Sequence, residues 1–357
     1  MAPSTTTTTS NISYICAAIS FAAGAGAFYM TQAVTKETFD PIVTACMSAS
    51  SYSSMEEFVN ATGYHAYDEN AGLIVLNPLV CLLTQFLFQL TEQEPIGPMV
   101  WYCTLLILMP MSVLITIEAG RQHNRGFILY PTLFSFLIVI LGASVIFPAL
   151  WVPAYCIWNN TTTTNAGQRG FVSITRARLA FPMTLPFVMF SILVFHWDTH
   201  TDLWKFSAGM LVGPVLASMP LLLWGLGPPL GMSKEEQVIS TETCAFAYAF
   251  AGILGLIGWF YLGYTYAIKY GTDYEPFLNE LWQDANPSVK FMVVDTVVLW
   301  IGMMLLIASK SLASFIEALL FTPFFGPGAA CALALASNEM DHAPRLIPIE
   351  QQKKKDE

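Results

Sequence analysis

One carboxyl lies deep in an apolar run: Asp295, in Phe291-Met-Val-Val-Asp-Thr-Val-Val-Leu299, about six residues into the block Val289 to Ala308. At 1.5 Å per residue that is about 9 Å past the start of a helix. Hydrocarbon penalises a charged group there, and the neutral acid that it favours can donate a proton. Glu118 and Arg121, in Thr116-Ile-Glu118-Ala-Gly-Arg121, stand three apart on one helical face, where each neutralises the other. The same pair also reads as an interfacial ion pair reaching toward water. Since Arg121 keeps Glu118 ionised, Asp295 ranks first as a proton donor and Glu118 second.

Three further groups have chemistry in reach. Asn77, Cys81, Gln85 and Gln89 recur every four residues and drift round one helical face, which suits a pocket wall or interhelical hydrogen bonding. His196-Trp-Asp198-Thr-His200-Thr-Asp202 puts four metal-capable side chains at alternate positions, on one side of an extended backbone. Loops at a water interface collect such residues freely, so no metal is expected. His65, His123 and His342 are too few for the histidine boxes of membrane di-iron enzymes. Phe246, Tyr248, Phe250, Trp259, Phe260, Tyr261, Tyr264 and Tyr266 crowd one block. Their ring faces would stabilise a carbocation, although an aromatic belt with helix packing explains them at least as well.

These residues need elements to hold them, and composition says of what kind. Of 357 residues, 55% are hydrophobic and 11% charged, with a mean hydropathy of +0.54. That argues against a soluble globule. Fifteen Lys and Arg against 25 Asp and Glu leave a charge of −10, so the basic footprint of a nucleic-acid binder is missing. Apolar blocks run Ile12 to Val34, Leu73 to Leu90, Met99 to Ala119, Phe127 to about Leu150 and on to Trp158, and Leu179 to Phe195. They continue through Phe206 to Leu226, Cys244 to Ala267, Val289 to Ala308 and Leu312 to Ala336, the last interrupted by Phe324-Phe-Gly-Pro-Gly-Ala-Ala330. The expectation is an all-α, polytopic transmembrane helical bundle of eight or nine spans. A polar N-terminal tail (1–11) precedes one transmembrane domain (12–341), and a charged tail (342–357) follows it. The start lacks the basic region of a cleaved signal, so the first block reads as a retained span. Seven scattered cysteines show no C-x-x-C pair and no disulfide-like spacing.

Counting Lys and Arg on alternate sides of nine spans puts ten, including Arg121, on one side and five, including Lys310, on the other. The C-terminus then faces the cytosol. Lys354-Lys355-Asp-Glu357 resembles a dilysine retrieval signal of the endoplasmic reticulum, which agrees. The sequons at Asn159 and Asn160 fall on the lumenal side, whereas that at Asn60 falls on the cytosolic side and counts against nine spans. The same alternation puts Asn77, Glu118, Tyr130, Asp198, Asp202 and Asp295 on one membrane face, suggesting one cavity open to an amphiphile from the bilayer. An extra or missing helix within Phe127 to Trp158 would break that parity.

There is no D-D-x-x-D, P-loop, G-x-G-x-x-G, H-E-x-x-H or G-x-S-x-G. By contrast, Asn77-Pro-Leu-Val-Cys81, Ile117-Glu118-Ala-Gly-Arg121 with Arg125-Gly126, Tyr130-Pro131, Phe147-Pro148 with Trp151-Val-Pro-Ala-Tyr155, Asp295 and Gly326-Pro-Gly-Ala329 occur together. Jointly they resemble the fungal integral-membrane terpene cyclases of meroterpenoid pathways, the group that includes the ascofuranone and macrophorin cyclases. The resemblance runs from about Leu73 to Ala336. It implies cyclisation of a prenyl chain on an aromatic or polyketide head group, begun by protonating an epoxide or olefin, with no metal or nucleotide cofactor. It transfers no catalytic residues. The residues themselves suggest Asp295 and Glu118 as acids, with Asn77, Gln85, Arg121, Tyr130, Asp198, Asp202 and Trp259 along the substrate's path. A lipid or small-molecule carrier, or another lipid-phase isomerase, is the alternative.

Overall fold

The computed structural model describes residues 6–48, 51–52, 54–64, 77–122, 124, 126–162, 170–189, 203–219, 221 and 232–341. Among them every regular element is helical. Four helices are long and apolar enough to cross a membrane: Asn11–Thr31 within α1 (Thr6–Ser48), α4 (Ile96–Glu118), the helix Lys234–Tyr270 and the helix Pro287–Lys310. Between them stand α2 (Met55–Thr62), α3 (Asn77–Glu92), α5 (Pro131–Leu141), α6 (Ala143–Ile146), α7 (Val152–Thr162), α8 (Ile174–Leu179) and α9 (Leu203–Ser218). We number Lys234–Tyr270 α10 and Pro287–Lys310 α11, followed by α12 (Leu312–Phe325) and α13 (Pro327–Met340).

Local chemistry sets these boundaries. Ser233 and Glu236 form a capping box that starts α10. The Asn286 side chain accepts from the Val289 N–H, with Pro287 in the first turn of α11. Ser311 ends α11 and caps α12 through the Ser314 N–H.

Cross-helix contacts give the directions. The hydroxyls of Thr104 and Thr296 meet at 2.5 Å, and fourteen residues further along each chain Lys310 Nζ reaches Glu118 Oε1 at 2.5 Å. So α4 and α11 run parallel. Helix α1 runs against them, for Ser20 donates to the Pro148 carbonyl while Ala27 packs on Val294 and Val298. Helix α10 is antiparallel to α4, with Gly258 against Tyr102 and Leu106.

The apolar block Phe127 to Trp158, expected as one span, is instead a helical hairpin. Phe134 on α5 packs on Phe147 and Trp151 of the returning limb, and Gly126 lies against Trp158. The reversal is Gly142 (φ 88°, ψ 147°), in a region of backbone space that is essentially glycine-only. A π turn at Phe147–Trp151, containing Pro148, continues the returning limb into α7. The block Leu312 to Ala336 folds back in the same way at Gly326 (φ 83°, ψ 159°), so that Asn338 on α13 bonds Ser314 on α12. Both hairpins enter and leave at the bundle end that holds Glu118 and Lys310.

This overturns the strict alternation of spans. Arg121 and Lys310, assigned to opposite sides, both bind the Glu118 carboxylate. The charge count that set the orientation falls with it. Glu118 and Asp295 do not share a face either, because Lys310, beside Glu118, lies fifteen residues or about 22 Å along α11 from Asp295. The cysteine reading is also corrected, since Cys46 near the end of α1 and Cys81 on α3 form a disulfide with Cα atoms 5.6 Å apart.

Candidate active site

Asp295 opens on a cavity of about 600 Å³ walled by α1, α3, α4, α5, α6, α9 and α11. That is within the range of small-molecule sites, about 300–1,000 Å³. The carboxyl is 7% exposed, and its Oδ1 accepts from the Ser144 hydroxyl, two residues past the Gly142 reversal. No cation among the described residues forms an ion pair with it. The rest of the wall is mostly apolar, with aromatic rings from several elements: Phe86 on α3, Trp101 on α4, Phe134 on α5, Phe187 after α8 and Phe291 on α11. Phe86 and Phe291 pack edge to face at 5.4 Å. The cavity therefore combines one buried acid with ring faces able to stabilise positive charge.

Glu118 sits in a different setting. Fully buried, it takes Arg121 Nε at 2.9 Å and Lys310 Nζ at 2.5 Å on Oε1, and Asn124 Nδ2 at 3.1 Å on Oε2. Arg121 also donates to Glu339 and to the Gly170 carbonyl. Lys310 lies 5.1 Å from the centre of the Tyr155 ring. Two cations and two carboxylates thus neutralise one another where α4, α11 and α13 end, as buried charges must. Neither Glu118 nor Arg121 lines the cavity. Their sequence spacing predicted the i,i+3 pair, but Lys310 and Glu339, 192 and 218 residues from their partners, left no local signal.

The other candidates scatter. Gln85 is buried but lies off the cavity wall, to which α3 contributes Leu79, Leu82, Leu83 and Phe86 instead. Gln89 accepts from Ser288 and Cys81 is in the disulfide, so both join helices together. Asn77 begins α3, and its side chain lies outside the described residues. Tyr130 precedes α5 and is 51% exposed, outside the cavity although Pro131 lines it. Trp259 packs with Met99, Leu106 and Leu262, its indole against Gly326. The aromatic block of α10 turns largely outward, with Phe246, Phe260 and Tyr264 exposed. Asp198 and Asp202, and the whole segment from His196, lie outside the described residues. No cluster of metal-ligating side chains occurs among the described residues.

Of the residues missed in the sequence, Phe291 carried a usable signal, four positions before Asp295 on the same helical face. Ser144 carried none, because it meets Asp295 only through the fold-back at Gly142. No protein-family model, curated protein or solved structure matches this chain.

Proposed function

We propose that this chain is a multi-pass terpene cyclase of the endoplasmic-reticulum membrane, acting on a prenylated aromatic or polyketide substrate drawn from the bilayer. The carrying observation is Asp295: a buried carboxyl that pairs with no cation among the described residues, hydrogen-bonded by Ser144, on the wall of a largely apolar, aromatic-lined cavity. Asp295 gives its proton to the epoxide oxygen or the terminal olefin carbon of a farnesyl-type chain. The epoxide C–O bond or the olefin π bond breaks, an internal olefin attacks the cation, and the ring faces of Phe86, Trp101, Phe134 and Phe291 stabilise the charge as it moves. A proton then leaves carbon, or a hydroxyl that has closed the ring, and restores Asp295. Substrate and product are isomers, and the sequence needs no metal or nucleotide.

Glu118 is not the acid in this reading. Its carboxylate is committed to Arg121 and Lys310, about 22 Å along α11 from Asp295. A carrier is the second reading, favoured by the two broken-helix hairpins, which resemble the discontinuous helices of transporters. Inverted repeats would bring such hairpins in from opposite ends, whereas these two share one. The test feeds microsomes containing the protein with prenylated phenols that end in an olefin or an epoxide. Cyclase action yields a product of unchanged mass and shifted retention, insensitive to EDTA. Uptake of unmodified compound into sealed vesicles, with no isomer formed, would establish the carrier instead.

A further inference from the structure

The cavity has a polar mouth as well as an acid. Lys36 and Asp40, one turn apart on α1, both line it and are both exposed. Ala27 marks the level of Asp295 on α1, through its packing on Val294 and Val298. Lys36 is nine residues beyond Ala27 and Asp40 thirteen, which puts them about 14 Å and 20 Å farther along the helix. Neither side chain forms an ion pair among the described residues. The wall between this mouth and Asp295 is mostly apolar, with Phe39, Leu83 and Phe86 beside the hydroxyl of Thr31. Among the described residues, Lys36 and Asp40 are the charged groups of the cavity besides Asp295, so they favour one orientation for an amphiphile: head at this mouth, tail reaching past Asp295.

We propose that Lys36 and Asp40 form a head-group subsite for a ligand presenting an anionic oxygen and a hydroxyl donor, such as a hydroxylated aromatic acid. Lys36 donates to the anionic oxygen and Asp40 accepts from the hydroxyl, both charge-assisted hydrogen bonds. The subsite sets which end of the prenyl chain meets the acid. In this it rests on the cyclase reading, yet binding can be measured without turnover.

The test uses the full chain in lipid nanodiscs and radiolabelled 3-farnesyl-4-hydroxybenzoate, with its methyl ester as the uncharged comparison. Lys36→Met is expected to weaken binding of the acid about tenfold, the loss of a hydrogen bond to a charged group, and to change the ester less than about threefold. Lys36→Arg retains binding of the acid. Equal losses for acid and ester, or no loss for either, would overturn the subsite. Binding that depends on Lys36 with no isomeric product from the wild type would sink the cyclase reading and leave the subsite standing. Conversion indifferent to Lys36 would do the reverse.

Discussion

Asp295 and Glu118 are both buried carboxyls on apolar helices that lie side by side and run the same way, yet their surroundings prepare them for opposite tasks. Glu118 meets Arg121, Lys310 and Asn124, a set that holds it as an anion and ties together the ends of α4 and α11. Asp295 meets one hydroxyl and an apolar cavity. Burial alone does not mark a reactive acid. The difference lies in whether the fold brings charge partners to it, and here both partners and absences come from remote segments. Lys310 and, through Arg121, Glu339 complete the Glu118 cluster. The tip of the α5–α6 hairpin brings Asp295 the Ser144 hydroxyl and, among the described residues, no cation.

This contrast can be broken at the charge cluster first. Glu118→Gln strands two cations near one remaining carboxylate, and the protein is expected to lose about 3–5 kcal/mol of stability. Thermal unfolding in nanodiscs followed by tryptophan fluorescence will show it, and an unchanged Tm would mean that the cluster is dispensable.

The two hairpin tips come next. Both reversals occupy glycine-only backbone, so a β-carbon costs about 1–3 kcal/mol at each. At Gly326 that carbon also meets the Trp259 ring at 2.6 Å, whereas at Gly142 it meets nothing within 4 Å. Gly326→Ala should therefore lower Tm more than Gly142→Ala. Only Gly142→Ala should also slow turnover per folded molecule, because that tip positions Ser144.

Ser144→Ala removes one hydrogen bond from Asp295, about 0.5–1.5 kcal/mol. Turnover falls about three- to tenfold with Tm little changed, read from product formed per folded molecule.

The smallest effect is expected at an exposed charge group near the other end of the bundle. Burial pushes the Glu280 carboxyl up, but hydrogen bonds from Tyr270 and Lys269, with the charge of Lys269, outweigh it and hold the group below its ordinary value. A depressed carboxyl contributes stability above its unfolded value, about 4.3, and loses it as pH falls through the lower folded one. Wild type should therefore lose slightly more Tm than Glu280→Gln between pH 6 and pH 3.

Much of this was legible in the chain, for reasons that also explain what was not. Length and hydropathy located α4, α11 and the core of α10, because a membrane-length helix needs only a local apolar run. The Glu118–Arg121 pair followed from helical spacing, and the depth of Asp295 from its place in its block. The hairpins escaped because Phe127 to Trp158 has the composition of a single span whether it crosses or turns back. The sign was one glycine, Gly142, in an otherwise apolar run, and at the second site Gly326-Pro-Gly328. Once those turns were missed, alternation separated Arg121 from Lys310, which meet at Glu118, and joined Glu118 to the face of Asp295, from which it is distant. The Cys46–Cys81 bridge escaped for a related reason, since it joins helices 35 residues apart in sequence.

On the proposed cyclase reading, the Asp295 carboxyl in the cavity supplies the proton and the clustered Glu118 holds the helix ends together. The direct test compares Asp295→Asn with Glu118→Gln in the same microsomes, measuring isomeric product per folded molecule beside Tm. Asp295→Asn should keep the wild-type Tm and lose product by a factor of about 10²–10⁴, the contribution of a positioned proton donor. Glu118→Gln should lower Tm and keep turnover per folded molecule. Undiminished product from Asp295→Asn, or its loss from folded Glu118→Gln alone, would show that Asp295 is not the acid.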